Sequence, residues 1–304
     1  MEMHQLRYVV AVARARNFSR AAEQCHVSQP SLSQQIQKLE AELGERLFKR
    51  TRREAVLTPC GEAFLRRAIR ILDEVEGARR EATDAHEMLS GTVQAGILPT
   101  IAPYLLPKAL TKFTRAFPGV EVIVQEETTA HLLKLVQNCD IDFAIASHPI
   151  QDSRMEVREL FTEELLLALP TSHRLVRNRA ISIAEIEKEP FIVMKEEHCL
   201  GDQVLRFCDR RALQPNITFR SAQLETIQSL VQSGLGLSLI PEMAIKGTSN
   251  GGPKYRSLSE PRPQRKIVAF WLKRGPLSRA AGAFLGVIEA STKARTGQSA
   301  TRPR

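Results

Sequence analysis

Apolar residues recur at helical spacing from the first turn of the chain. Met3, Leu6, Val9, Val10 and Ala13 share one face and predict an amphipathic helix. Asn17-Phe18 interrupts it, and Ser19 is placed to cap a short helix through Ala21, Ala22 and Gln24. His26-Val27 reads as a turn. Ser28 then caps a second helix with Pro30 in its first turn, where a missing N–H is harmless. Leu32, Ile36, Leu39 and Leu43 form its expected buried stripe, leaving Gln29, Ser31, Ser33, Gln34 and Lys38 outside.

A short helix, a tight turn and a capped helix with a polar outer face describe a helix-turn-helix. Its second helix enters the major groove, where Gln bonds adenine and Ser bonds bases or phosphate. After Gly44, the run from Leu47 to Thr58 reads as a β-wing whose Lys49, Arg50, Arg52 and Arg53 suit phosphate contact. Thr58-Pro59-Cys60-Gly61-Glu62 opens a long helix. Phe64, Ala68, Ile71, Val75, Ala78, Ala82, Ala85 and Leu89 alternate in steps of four and three, the seam of a dimerising helix that ends at Ser90-Gly91.

From Thr92 strands alternate with helices. Strands are expected at Val93–Ile97, Val120–Gln125, Ile141–Ser147, Leu165–Leu169, Phe191–Met194, Ile217–Arg220, Leu237–Pro241 and Ile267–Leu272. Helices are expected from Pro103 to Phe117, from a Thr128-Thr129 cap to Asn138, from Leu224 to Gln232 with Gly234 as the stop, and from Leu277 to Ile288. The fold class is α/β: an N-terminal winged helix-turn-helix and linker helix, then two Rossmann-like α/β subdomains with parallel sheets. The boundaries fall at 1–60 for the DNA-binding domain and 61–90 for the linker. Subdomain I takes 91–164 and 267–291, subdomain II takes 165–266, and 292–304 is a flexible basic tail.

The 304 residues carry a net charge of +9. Residues 1–70 hold thirteen basic against seven acidic residues, which favours a polyanion beside the helix-turn-helix. Residues 261–304 hold ten basic residues against Glu289 alone, and the end of this stretch reads as a solvated tail. No run of 18 apolar residues occurs and the N-terminus lacks a signal-peptide pattern, so a bacterial cytoplasmic location and no membrane partner are expected. In that reducing setting Cys25, Cys60, Cys139, Cys199 and Cys208 are no disulfide framework, and their spacing fits no metal site or cofactor.

Cys199 and Cys208 stand nine positions apart in a segment that reads as helical from Gln203 to Phe207, with Gly201 weakening the pattern. On one continuous helix, nine steps of about 100° put the two side chains on opposite faces, roughly 13 Å apart along the axis. A disulfide needs Cα atoms within about 7 Å, so the sulfurs bond only if the segment unwinds. The spacing fits a redox switch and, more simply, two unrelated buried thiols.

Asn17-Phe18-Ser19-Arg20-Ala21-Ala22, Ser28-Gln29-Pro30-Ser31-Leu32-Ser33-Gln34-Gln35-Ile36, Leu39-Glu40, Leu43 through Arg50, Leu57-Thr58-Pro59 and Gly61 together resemble the LysR family of bacterial transcriptional regulators. The resemblance implies a winged helix-turn-helix, a linker helix, two subdomains of periplasmic-binding-protein type, and a dimer of dimers on double-stranded promoter DNA. It implies a partner in RNA polymerase and no enzymatic role. The DNA-facing residues are then Ser28, Gln29, Pro30, Ser31, Ser33, Gln34, Lys38, Lys49, Arg50, Arg52 and Arg53.

Within the family, His198-Cys199-Leu200, Asp202-Gln203 and Phe207-Cys208 resemble the peroxide-sensing OxyR branch. That resemblance implies Cys199 as the thiol oxidised by hydrogen peroxide and Cys208 as the thiol that resolves it. It implies Thr100, Thr129, His198 and Asp202 around the peroxide, and thioredoxin or glutaredoxin as reductant. His198, Lys195, Arg206 and a helix N-terminus at Cys199 are expected to lower its pKa. Three positions depart from the pattern: Cys139 stands where glycine is common, Cys60 replaces a small residue, and Thr218 stands where some members have histidine. Two other readings remain: a LysR regulator binding a small organic inducer between its subdomains, and a thiol peroxidase carrying a DNA-binding head.

Overall fold

The computed structural model describes residues 1–50, 55–83, 89–195, 199–211, 214–245, 252–273 and 277–299. The chain forms two compact units, the first built on Met1–Gly91 and the second beginning at Thr92.

In the first unit, α1 (Met3–Ala15), α2 (Phe18–Gln24) and α3 (Gln29–Leu43) pack around Val9, Val12, Ala21, Ala22, Leu32, Ile36 and Leu39. The cap of α2 is Asn17, not Ser19: its side chain accepts from the amides of Ser19 and Arg20. Asn17 has the extended backbone a cap needs, and starting there lets Phe18 begin the helix. Ser28 caps α3 as expected, accepting from the Ser31 amide. Leu43 departs from the stripe and is exposed, because α3 ends there. Strands β1 (Phe48–Arg50) and β2 (Ala55–Leu57) pair antiparallel as the wing. Glu40 ties α3 to it by accepting from the amides of Leu47 and Phe48.

Helix α4 (Pro59–Thr83) follows, with Thr58 accepting from the Gly61 amide. Part of its seam is used within the chain, since Phe64 and Ala68 pack with Leu6 and Val10 of α1. Ile71 is exposed. Ala85 lies outside the described residues, as do the side chains of Ala78 and Ala82.

The second unit contains β3 (Ser90–Ile97), α5 (Ala102–Ala116), β4 (Gly119–Glu126), α6 (Thr129–Gln137), β5 (Phe143–Ser147) and β6 (Met155–Leu169). It continues with β7 (Ala180–Ile181), β8 (Pro190–Met194), α7 (Cys199–Asp209), β9 (Asn216–Ser221), α8 (Leu224–Gln232), β10 (Ser238–Pro241), β11 (Lys254–Leu258), β12 (Gln264–Leu272) and α9 (Arg279–Ser299). β3 runs parallel to β5, and β8 parallel to β9. The sheets are not wholly parallel: β12 is antiparallel to both β5 and β6.

β6 is one strand shared by two halves. Met155 to Glu164 pairs with β12, whereas Leu165 to Leu169 pairs with β10 and β11. The strand was expected only from Leu165, because Met155–Glu164 is polar and largely exposed on one face. The second half has its own core, in which Leu167, Phe191, Ile192, Leu200, Val204, Cys208 and Ile227 are buried together. α9 continues as helix through Ser299, so most of the stretch expected as a flexible tail from Thr292 is helical. Cys139 takes a left-handed backbone, φ 61°, a conformation glycine adopts freely, which explains the glycine common at this position.

Candidate functional site

Cys199 is the first residue of α7, which runs unbroken to Asp209 and carries Cys208 in its last turn. Gly201 does not interrupt the helix; it lets the helix approach β8. A Cβ there would stand 2.6 Å from the Met194 carbonyl oxygen and 2.8 Å from that of Lys195. With one continuous helix, the two sulfurs point to opposite sides, roughly 13 Å apart along the axis by helical rise. All five cysteines are free thiols, and Cys208 is buried in the core beside Leu200 and Val204.

Several elements converge on the Cys199 sulfur. Thr129 opens α6, just beyond β4, and its hydroxyl favours the thiolate. That hydroxyl is buried without a conventional hydrogen-bond partner. The Ser147 backbone amide, at the end of β5, acts in the same direction, as does the charge of Arg265 on β12. Burial nonetheless prevails and holds the Cys199 thiol above its ordinary value, with Asp202 adding to the rise. The expected lowering by Lys195 and Arg206 is therefore corrected: Arg206 pairs with Asp202 at the surface, 3.5 Å away, and among the described residues the cation that acts on the sulfur is Arg265. Cys208 is pushed up to about 11, by burial first and then by Asp209.

Thr100 lies in the turn after β3 and is buried. Arg265 joins it twice: Nη1 donates to Thr100 Oγ1 at 3.1 Å and Nη2 to the Thr100 carbonyl at 3.2 Å. Arg265 Nε donates to Glu163 Oε1 at 2.7 Å. Arg265 thus holds Thr100 directly, and its charge also reaches the Cys199 sulfur, which Thr129 favours as thiolate. Gln203, one turn into α7, donates to Ser147 Oγ at 2.7 Å and to the His148 carbonyl at 3.1 Å, while its Oε1 is buried without a partner. Asp202 sits in the first turn of α7, half-exposed toward Arg206. His198 lies outside the described residues. Thr218 serves β-structure, its hydroxyl donating to the Phe191 carbonyl.

Arg265, Ser147 and Gln203 were not foreseen as site residues. A signal for Arg265 existed: extending the Ile267–Leu272 strand backward puts it in phase with the buried Ile267 and Ala269.

Of the expected DNA-facing residues, Ser28, Gln29, Pro30, Ser31, Gln34, Lys38 and Lys49 are exposed on α3, its cap and the wing, and Ser33 is half-buried. The Arg50 side chain, Arg52 and Arg53 lie outside the described residues. Among the described residues no cluster has metal-binding geometry, and no helix is long and apolar enough to cross a membrane.

Residues 3–62 match the family of bacterial regulatory helix-turn-helix proteins of LysR type, and residues 86–293 match the LysR substrate binding domain. Among curated relatives, a hydrogen peroxide-inducible genes activator of Dickeya chrysanthemi is 34% identical over 278 residues, 91% of each chain. The DNA-binding transcriptional dual regulator OxyR of Escherichia coli K12 is also 34% identical, over 91% of each chain. Among solved structures, a cysteine-to-aspartate variant of full-length OxyR from Pseudomonas aeruginosa is 31% identical with a TM-score of 0.72, covering 96% of this chain and 95% of that one. A hydrogen-peroxide-bound OxyR mutant of Corynebacterium glutamicum is 28% identical with a TM-score of 0.65, covering 99% and 95%.

Proposed function

The chain belongs to the LysR family of bacterial transcriptional regulators, and from that footing we propose that it senses hydrogen peroxide by reversible Cys199–Cys208 disulfide formation. It is a DNA-binding regulator closely related to the OxyR peroxide sensors, in a family of regulators rather than enzymes. The observation that carries the proposal is the convergence of the Thr129 hydroxyl, the Ser147 amide and the Arg265 charge on the Cys199 sulfur. Hydroxyls both donate and accept, as peroxide does, so Thr100 and Thr129 suit its orientation beside the thiolate. Asp202 and His198, flanking Cys199 in sequence, belong to the same proposed site.

The thiolate sulfur attacks one peroxide oxygen and the O–O bond breaks. The sulfur is oxidised to the sulfenic acid, and the other oxygen departs as hydroxide, becoming water on protonation. The Cys208 thiol then attacks the sulfenic sulfur, expelling water and closing the disulfide. A bridge across about 13 Å of helix requires α7 to unwind, which removes the Gln203 bonds to Ser147 and His148. This couples the oxidation to the packing of the regulatory domain and so to the spacing of the DNA-binding heads. The protein works as a dimer of dimers on promoter DNA in the bacterial cytoplasm, controls antioxidant genes with RNA polymerase as a partner, and is reset by thioredoxin or glutaredoxin. α3 supplies the groove-facing residues Ser28, Gln29, Pro30, Ser31, Ser33, Gln34 and Lys38. Lys49, Arg50, Arg52 and Arg53 of the wing bind phosphate.

The test is the footprint of reduced and peroxide-treated protein on its operator, for the wild type and Cys199→Ser. A footprint that changes only in the wild type is expected. An unchanged footprint, with thermal stabilisation by a small organic metabolite, would return the protein to the inducer-binding regulators.

A further inference from the structure

Glu163 and Arg265 stand directly opposite one another on the antiparallel β6–β12 ladder, both buried. One carboxylate oxygen of Glu163 takes the Arg265 Nε–H at 2.7 Å. The other accepts from the Met243 backbone amide, also at 2.7 Å. Met243 lies just beyond β10, in the half of the domain that contains α7. The carboxylate is therefore pinned from two elements, and rotating it would abandon a buried hydrogen bond. Its grip leaves the far end of the guanidinium turned to Thr100, which takes one N–H on its hydroxyl and one on its carbonyl.

This fixes the polarity of Thr100. Arginine is a donor only. Since Thr100 Oγ1 accepts from Arg265, its own O–H is free to donate to another group. We propose that Glu163 is a positioning residue for the reaction of Cys199 with peroxide: it holds the Arg265 fork, and the fork turns the Thr100 hydroxyl into a donor toward the departing peroxide oxygen. The inference rests on the reading of Cys199 as the peroxide-reactive thiol. In that step the S–O bond forms as the O–O bond breaks, and the donor steadies charge developing on the oxygen that leaves as hydroxide. A purely electrostatic role for Glu163 predicts the reverse. Removing its negative charge would leave Arg265 uncompensated and favour the Cys199 thiolate, raising the rate.

The experiment is a double-mutant cycle on the full-length chain. The second-order rate of Cys199 oxidation by hydrogen peroxide is measured for the wild type, Glu163→Gln, Thr100→Val and the double variant, each shown to be folded by its thermal transition. Glu163→Gln is expected to slow oxidation by roughly tenfold or more, the scale of a misplaced reacting group. The double variant is expected to be no slower than Thr100→Val. A Glu163→Gln rate equal to or above the wild type overturns the proposal, and so does a further loss in the double variant, which marks a separate structural effect. If Glu163→Gln does not fold, Glu163→Asp, which keeps the charge but withdraws it by one methylene, carries the same cycle with the same criteria. A wild-type Cys199 indifferent to peroxide overturns the reading of the thiol itself and this inference with it. A reactive wild type whose rate is unchanged in the Glu163 variant overturns the inference alone.

Discussion

Gln203 reaches out of α7 to the Ser147 hydroxyl at the end of β5, 2.7 Å away, and to the His148 carbonyl beside it. This tie joins the helix that holds Cys199 and Cys208 to the strand whose last amide faces the Cys199 sulfur. It is present only while α7 is helical. Gln203→Leu should therefore lower the stability of the reduced protein by about 1–2 kcal/mol, the worth of one or two partly buried hydrogen bonds. The same change should speed closure of the disulfide once Cys199 is oxidised. Thermal unfolding and stopped-time thiol trapping measure the two effects; unchanged closure would mean the tie does not restrain α7.

Gly201→Ala improves helix propensity by up to about 1 kcal/mol, yet it should destabilise the protein. The new Cβ would press on two backbone carbonyls, which have no flexible side chain to yield. A net loss of about 1–3 kcal/mol is expected, typical of overpacking, and denaturant titration reads it. A stabilised variant would contradict the close approach of α7 to β8.

Thiol reactivity in the reduced protein should be graded. Cys60 is exposed, whereas Cys208 is buried and pushed up to about 11. Alkylation near neutral pH is expected at Cys60 first and at Cys208 last, with Cys208 escaping alkylation altogether once it is joined to Cys199. Cys60→Ser and Cys139→Ser should keep the peroxide response that Cys199→Ser abolishes.

The pH dependence of oxidation follows from burial of Cys199. The thiolate is the reactive form, and the Cys199 thiol titrates above its ordinary value. Its thiolate fraction is then small at neutral pH and grows with each step in pH, so the oxidation rate should climb without a plateau from about pH 6 to about pH 9. A rate that levels off below about pH 8 would show that Thr129, Arg265 and the Ser147 amide outweigh the burial.

At the DNA-binding head, Lys49→Ala should weaken binding across all sequences and reduce the salt slope by about one, as for a single phosphate contact. Gln34→Ala should change discrimination at one base position with little change in that slope. Titrations on specific and scrambled duplexes at several salt concentrations separate the two.

The helix-turn-helix was legible because its helices are amphipathic and its caps are short polar residues, although Asn17 and Ser19 stand so close that either can serve as a cap in the sequence. The helical run from Gln203 to Phe207 was legible, and it extends to Cys199–Asp209; Gly201, which weakened that reading, marks a packing demand visible only in three dimensions. Thr100 and Thr129 were placed correctly after strands. What escaped was the buried charge pair that holds Thr100. Glu163 sits in a polar run that did not read as strand, and Arg265 was absorbed into the basic excess of the C-terminal stretch. An ion pair that is buried only because two distant strands lie in register leaves little local trace beyond the phase of Arg265 with Ile267 and Ala269.

The most direct measurement is peptide mass spectrometry of thiol-trapped protein before and after stoichiometric hydrogen peroxide. A Cys199–Cys208 linkage that forms within seconds and reverses with reductant is the predicted result. Two thiols that stay free at both positions while Cys60 alone oxidises would contradict peroxide sensing by this chain.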